Sequence, residues 1–271
     1  MPTPSIPSFN TSRARAYVFR LPLFTRAVVA IIVATWLLSL QQLWDVRAWG
    51  ALVPDKTGMA TLYRTNTFPF IHLNIFHAIL NILALTPLLE RFESEHGTLT
   101  SLALFFGPFA TVPALLYVGL ERFVYGGNTV VMGASVWVFL LLGVEAIHTY
   151  RTNPHFRISS YDIPTWTTPM IVMLCVAALV PGSSFLGHLC GLVVGYAFGL
   201  GYIKFLAPPE KILRYIEGKL NLLGRLPHYV SVDQKTYGRF GILPSSGNSG
   251  SSSAGPAVAM GMVGSGQRLG P

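Results

Sequence analysis

Charged side chains are scarce in this sequence. Only 11% of its 271 residues are Asp, Glu, Lys or Arg, whereas 51% are hydrophobic. Soluble globular domains carry about 25% charged residues, so the composition excludes an ordinary soluble protein. The hydrophobic residues cluster in runs that approach the roughly 20 residues needed to cross a hydrocarbon core. The sequence therefore predicts an all-α, polytopic membrane protein.

Cysteine is also rare. The two cysteines, Cys175 and Cys190, both lie inside hydrophobic runs, so they indicate neither a disulfide framework nor a metal site. We expect no metal and no cofactor. The net charge of +8 is concentrated at the two ends of the chain. Because no basic stripe with interleaved aromatic residues is present, we expect no nucleic-acid partner.

The hydrophobic runs predict six transmembrane helices. They cover about residues 27–44, 71–89, 99–120, 135–147, 166–180 and 184–206. Lys and Arg are enriched before the first run and after the last, which places both termini in the cytosol. Cytosolic termini at both ends require an even number of spans, and six satisfies this condition.

The chain divides into four predicted segments. Residues 1–23 form a cytosolic tail, and 24–206 form the six-span domain. Residues 207–242 are a juxtamembrane segment, in which 210–223 alternate apolar and basic residues at the spacing of an amphipathic surface helix. The Ser/Gly-rich residues 243–271 are expected to be disordered.

A histidine lies in the last hydrophobic run, at His188. A histidine at membrane depth is costly unless it has a partner or lines a cavity. The best candidate partner is Ser135, at the start of the fourth run. The helix face of His188 also carries three glycines spaced by four, which let another helix approach closely. These helix-packing residues are Gly191, Gly195 and Gly199.

Serine and histidine at matching depth indicate a serine hydrolase. His188 would act as general base and Ser135 as nucleophile. A serine at a helix N-terminus has free amides and the positive end of the helix dipole beside it, where an oxyanion can be stabilised. His77 and Asn81, four residues apart on one helix face, are further oxyanion donors, with Gly133 in the same set. Since no acidic residue lies near His188 within the spans, we expect a Ser–His dyad.

Other interpretations stay open. Serines in membrane helices commonly bond a backbone carbonyl, and a lone histidine can be a packing or proton-relay residue. A non-catalytic membrane adaptor would need only the fold and the tail. A transporter is less favoured because the sequence shows no inverted repeat.

Three motifs occur in order along residues 24–206. They are Tyr63-Arg64 with Thr67, His72, His77 and Asn81; Gly133-Ala134-Ser135; and His188 with Gly191 and Gly195. With these motifs the chain resembles the rhomboid family of intramembrane serine proteases, which cut transmembrane proteins in the bilayer.

The resemblance implies a six-helix bundle and a role for each site residue. Ser135 would be the nucleophile, His188 the base, and His77 and Asn81 oxyanion donors. Phe139, one turn after the serine, would stack on the histidine. The family usually has glycine after the serine, so the branched side chain of Val136 is expected to narrow the pocket.

The C-terminal tail carries a second resemblance. Residues 262–270 resemble the SHP box that recruits the valosin-containing-protein type of AAA ATPase, with Gly264, Gly266 and Leu269 as its binding residues. A rhomboid with such a tail resembles fungal Golgi rhomboids that help cleave sterol-responsive, membrane-bound transcription factors. The resemblance implies a Golgi location and an AAA ATPase partner. In the adaptor alternative, the protein would hand substrates to that ATPase.

Overall fold

The computed structural model of the protein describes residues 11–180 and 182–234. This part of the chain is mostly helical, with connecting loops and one small hairpin. The helices are α1 Thr11–Arg20, α2 Leu23–Leu38, α3 Val46–Gly50, α4 Arg64–Thr67, α5 Ile75–His96, α6 Thr98–Phe105, α7 Pro108–Gly119, α8 Ser135–Thr152, α9 Thr168–Leu179, α10 Phe185–Leu200, α11 Glu210–Leu220 and α12 Leu222–Arg225; the strands are β1 His155–Ile158 and β2 Tyr161–Pro164. The predicted SHP box lies outside the described residues.

Two helical stretches are long and apolar enough to cross a membrane. They are Ile75–His96 and Thr98–Val124, and a third is added if α10 and Lys204–Leu220 count as one span bent by 94°. Leu23–Leu38 and Thr165–Leu179 are shorter apolar helices. These counts refer to residues 11–180 and 182–234. The class of all-α membrane protein is confirmed, and the count of six spans stays a prediction.

The first hydrophobic run is helical over a different range from the predicted one. Helix α2 begins at Leu23 and ends at Leu38, and α1 lies within the predicted cytosolic tail of residues 1–23. A contact with α5 explains why α2 begins this early. Glu93, which is fully buried, accepts hydrogen bonds of 2.8 Å from the amides of Phe24 and Thr25. These amides have no intrahelical acceptor, so the carboxylate caps the helix N-terminus.

Helices α8 and α10 pack backbone against backbone. A Cβ atom added at Gly191 would overlap the carbonyl oxygen of Val136, and one added at Gly195 would overlap that of Leu140. At Gly199 a Cβ would lie 3.0 Å from the Cβ of Ile147. The three glycines therefore set the distance between the two helices that carry the serine and the histidine.

A short hairpin follows α8, between the fourth and fifth predicted spans. Strand β1 pairs antiparallel with β2, and the turn between them contains Ser159 at a φ of 55°. Arg157 and Asp162 form a cross-strand ion pair at 2.9 Å. The hairpin is small and exposed, so it adds no layer to the helical fold.

The chain turns sharply after α10. Gly201 has a φ of 96°, a left-handed conformation that glycine adopts without steric cost. The predicted amphipathic helix at 210–223 corresponds to α11 and α12. Beyond it the chain folds back: His228 accepts from the amide of Leu23, and Val230 accepts from the amide of Thr98, both at 2.9 Å. The juxtamembrane segment is thus packed against the ends of α2 and α6.

Candidate active site

The structure brings Ser135 and His188 together although they are 53 positions apart. Ser135 is the first residue of α8, and His188 lies in the first turn of α10. The distance from His188 Nε2 to Ser135 Oγ is 3.0 Å. With the hydroxyl as donor, Nε2 accepts and the imidazole proton lies on Nδ1. This is the tautomer that can take a proton from the serine.

The imidazole of His188 is held by packing. It stacks on the ring of Phe139, with centroids 4.4 Å apart and an angle of 30° between the planes. Its Nδ1 atom is buried and has no hydrogen-bond partner among the described residues. No carboxylate of this part of the chain orients the ring, so stacking takes that role in the geometry.

The loop before Ser135 is fixed to the segment that precedes α5. Leu52 and Val131 exchange two backbone hydrogen bonds of 2.9 Å, which form a single antiparallel bridge. Two residues further on, the amide of Gly133 donates to the carbonyl of Phe68 at 2.9 Å. Irregular backbone buried inside a membrane protein must have its polar groups paired within the protein, and these three bonds pair part of this loop.

His72 provides another connection to the same loop. Its Nε2 accepts a hydrogen bond of 3.3 Å from the amide of Ala134, and its Nδ1 lies 3.1 Å from the carbonyl oxygen of Phe70. Nδ1 therefore carries the proton and Nε2 is the acceptor. The side chain is only 1% exposed. His72 thus joins the loop before Ser135 to the segment before α5.

His77 and Asn81 lie on the α5 face that borders this loop. A Cβ atom at Gly133 would lie 2.7 Å from His77 Cε1 and 2.9 Å from Nε2, so only glycine leaves room for the ring. Gly133 also has a φ of 116°, which favours glycine. Asn81 Nδ2 donates to the carbonyl oxygen of His77 at 2.8 Å, and Asn74 caps the helix through the His77 amide.

Within the described part of the chain, the first backbone amides of α8 are unbonded, whereas the Gly133 amide in the loop before it is bonded. The amides of Ser135 and Val136 have no hydrogen-bond acceptor within residues 11–180 and 182–234, as is usual in the first turn of a helix. The amide of Gly133 is already bonded to Phe68. In this conformation Gly133 contributes backbone shape and room for His77, and its N–H is not available to an oxyanion.

Supporting residues outside the motifs also hold the loop. Glu121 is buried and accepts from the amide of Thr129 at 2.9 Å, and the Tyr117 hydroxyl donates to the carbonyl of Thr129 at 2.8 Å. Sequence reasoning did not identify these two residues. The available signal for Glu121 was an acidic residue at the end of a hydrophobic run, five positions before Gly126-Gly127.

A metal-type cluster occurs elsewhere, between α5 and α8. Ligand atoms of Glu95, Glu145 and His148 lie within 4.8 Å of one another. Arg91 forms ion pairs with both Glu95 and Glu145, so its cation already offsets part of the negative charge of the cluster. We assign no metal to it.

The site is a serine and a histidine that meet between apolar, membrane-type helices, and the similarity of the chain to known proteins agrees with that class. The Rhomboid domain family model matches residues 59–205. Rhomboid-type serine protease 2 of Neurospora crassa is 70% identical over 267 residues, which cover 97% of this chain and 95% of that protein. Its namesake in Podospora anserina is 64% identical over 289 residues, covering 99% of each chain. In Saccharomyces cerevisiae a protein of the same name is 34% identical over 206 residues, covering 74% and 77%.

The chain belongs to the rhomboid family. It is an integral membrane protein and an intramembrane serine protease whose substrates are transmembrane proteins in the lipid bilayer. The non-catalytic adaptor of the alternative interpretation is not favoured by this result.

Proposed function

We propose that the protease cuts transmembrane substrates with a Ser–His dyad made of Ser135 and His188. The observation that carries the proposal is the 3.0 Å contact between His188 Nε2 and Ser135 Oγ. His188 removes the hydroxyl proton while Ser135 Oγ attacks the carbonyl carbon of the scissile bond. Stacking on Phe139 keeps the imidazole in place during this step.

The oxyanion would be stabilised at the N-terminus of α8. The unbonded amides of Ser135 and Val136 and the positive end of the helix dipole favour negative charge there. His77 lies against the loop at Gly133, which supports its assignment as a side-chain donor. Asn81 uses one N–H on the carbonyl of His77 and keeps a second for the oxyanion.

Collapse of the tetrahedral intermediate completes the first half of the reaction. His188, now protonated, gives its proton to the nitrogen of the leaving amine, and an ester between Ser135 and the substrate remains. A water molecule then attacks this ester, with His188 again as the base, and Ser135 is released. Each step uses the same imidazole nitrogen, Nε2.

The proposal also covers the membrane topology of the protein and its location in the cell. The domain 24–206 spans the membrane six times, the termini are cytosolic, and the organelle is the Golgi. The arginines before α2 and the basic residues after α10 support the orientation. The 94° bend after α10 supports a surface position for α11. The variants Ser12→Cys and Arg225→Cys test whether both ends face the cytosol. Their labelling by a membrane-impermeant thiol reagent is compared in sealed and permeabilised vesicles, with the parent protein, which carries Cys175 and Cys190, as the background.

The tail supplies the last part of the proposal. Gly264, Gly266 and Leu269 would bind a valosin-containing-protein-type AAA ATPase, and the pair would activate a membrane-bound, sterol-responsive transcription factor. Deletion of residues 260–271 should abolish co-purification of the ATPase and leave fluorophosphonate labelling intact. Co-purification that survives the deletion would remove the SHP box from the proposal.

The dyad is tested by labelling the detergent-solubilised protein with a fluorophosphonate probe. Labelling should be lost in Ser135→Ala and fall by at least about 10³-fold in His188→Ala, because both residues are needed to activate the nucleophile. Ser39→Ala is the matched control, since Ser39 only caps the end of α2 through the Trp36 carbonyl. Labelling that persists in Ser135→Ala would show that another residue is the nucleophile.

A further inference from the structure

A cleft of about 430 Å³ opens beside the loop that precedes Ser135. One wall comes from six residues that precede α4, and the other comes from the loop itself; the lining residues are Asp45, Arg47, Ala48, Ala51, Val53 and Lys56, and Asn128, Val130 and Met132. Met132 is three residues before Ser135, a separation of at most roughly 11 Å between Cα atoms. The cleft is therefore close enough to the proposed nucleophile to contact a bound substrate.

Two cations without carboxylate partners line this cleft. They are Arg47 and Lys56, and neither takes part in an ion pair within the described residues. The Nε atom of Arg47 is buried and has no hydrogen-bond partner in this part of the chain. The acidic residue of the lining, Asp45, caps α3 by accepting from the amide of Ala48 at 2.9 Å. The lining thus holds two cations and one carboxylate, so its net charge is positive.

A third cation lies behind the wall of the cleft. Arg64 donates to the carbonyl oxygens of Ala51 and Ala48 at 2.7 and 2.8 Å, and both alanines line the cleft. Arg64 is only 7% exposed, so its charge is fixed in position. Fixed cations behind a low-dielectric wall raise the local potential for an anion.

The geometry points to a specificity subsite in which Arg47 and Lys56 bind an acidic side chain of the substrate. This inference rests on the proposed placement of the nucleophile at Ser135. An extended chain rises about 3.3 Å per residue, so the acidic residue lies about three to five residues from the scissile bond. The apolar side chains of Val53 and Val130 contact the methylene groups of the ligand, and its carboxylate reaches the two cations.

The test uses single-span reporter proteins in phosphatidylcholine vesicles. The reporters carry Asp, Asn or Lys at one position at a time, on either side of the bond that the wild-type protein cuts. At one position in the stated range, kcat/KM for Asp should exceed that for Lys by about five- to tenfold, the size of a pairing with partly exposed cations. The preference should disappear in Arg47→Gln/Lys56→Gln and reverse in Arg47→Glu/Lys56→Glu.

Arg122→Gln is the matched control, because Arg122 is an exposed cation that does not line the cleft. Fluorophosphonate labelling selects the variants whose site is folded. Absence of labelling in wild type would remove the dyad itself, whereas normal labelling and cleavage without any charge preference would overturn only the subsite. A preference for Asp that survives in Arg47→Gln/Lys56→Gln would also overturn only the subsite.

A second set of assays distinguishes an acidic substrate side chain from a lipid phosphate headgroup as the ligand of the cleft. The reporters are cut again in vesicles that also contain phosphatidylglycerol. A rate that depends on this lipid in wild type but not in Arg47→Gln/Lys56→Gln, without a preference for Asp, would assign the cleft to lipid and overturn the proposal.

Discussion

His72 Nε2 accepts a hydrogen bond from the amide of Ala134, the residue directly before the proposed nucleophile. The bond is 3.3 Å long and joins two residues 62 positions apart. Because the Nδ1 atom of the same ring is bonded to the Phe70 carbonyl, His72 links the entry to α5 with the entry to α8. The position of the serine therefore depends on a residue outside the proposed dyad.

Replacement of His72 by Phe should impair both stability and turnover. The change keeps a ring but leaves the Ala134 amide and the Phe70 carbonyl without partners, at about 1–3 kcal/mol for each buried group. Since Ser135 would lose its fixed position, kcat should fall while KM changes little. His72→Asn, which keeps a donor for Phe70, should be less affected. Steady-state cleavage of a reporter and thermal unfolding measure the two effects, and a stability loss with normal kcat would contradict the positioning role.

Replacement of Gly195 by Ala should separate α8 from α10. The added methyl group overlaps the carbonyl oxygen of Leu140, which is backbone and cannot move alone. Overpacking of this kind costs about 1–3 kcal/mol or more. Because the two helices carry Ser135 and His188, fluorophosphonate labelling should slow as well.

Gly218→Ala provides the matched control for Gly195→Ala. Gly218 lies in α11, and a Cβ atom there has no neighbour within 4 Å. This substitution should stabilise the helix by about 0.5–1 kcal/mol. Unfolding in detergent micelles measures both variants, and equal effects at the two positions would contradict close packing of α8 on α10.

Replacement of Val136 by Gly tests whether the valine narrows the substrate pocket. Val136 is only 3% exposed, and its Cγ2 atom lies 3.1 Å from the site that a Cβ of Gly191 would occupy. Its side chain packs on α10, so its removal should cost about 2–3 kcal/mol of stability from lost burial and glycine entropy. Relative cleavage of reporters with small and large residues at the scissile bond should not change.

Val33→Gly is the control for Val136→Gly, because Val33 is 42% exposed on α2. It should cost only about 0.5 kcal/mol, the difference in helix propensity between valine and glycine. A selective gain for large residues in Val136→Gly would show that the valine does limit the pocket.

Replacement of Glu217 by Ala should release the segment that follows α12. The carboxylate accepts from the Tyr229 hydroxyl, the Ser231 hydroxyl and the Val232 amide, at 2.7, 2.8 and 3.0 Å. Loss of three hydrogen bonds at about 1 kcal/mol each should speed amide exchange at Val230 and Val232 by about 100-fold. Glu210→Ala removes an exposed carboxylate from the same helix and should leave exchange at Val230 unchanged. Equal exchange rates at Val230 in both variants would contradict this role of Glu217.

The hydrogen bonds between Glu217 and residues 229–232 should weaken at alkaline pH. Burial first, and then the hydrogen bond to Glu217 and its negative charge, raise the pKa of Tyr229 above its ordinary value of 10.0. The folded segment thus prefers the neutral phenol, so docking is at full strength below about pH 10 and is lost as the pH rises further. Tyr229→Phe should remove this dependence from the exchange rate of Val232. A dependence that remains in Tyr229→Phe would assign it to another group.

Part of this structure was predictable because hydrophobic runs and helical spacing are local properties. The run around His188 predicts α10 and its glycine face, and the apolar-basic spacing after Pro209 predicts α11. The pairing of Ser135 with His188 was also inferred, since polar groups at membrane depth need partners. The start of α2 at Leu23 was not, because the Glu93 carboxylate that caps it is 68 positions away from Thr25.

The sequence by itself determined the membrane class, the family motifs and the candidate dyad. Tertiary structure alone decided that the Gly133 amide is bonded to Phe68, that Val136 faces α10, and that Arg47 and Lys56 line one cleft with Met132. These relationships join residues far apart in the chain, and no local periodicity encodes which of them meet. The backbone path of the loop before Ser135 determines them, and that path is fixed by hydrogen bonds to residues 52, 68 and 72.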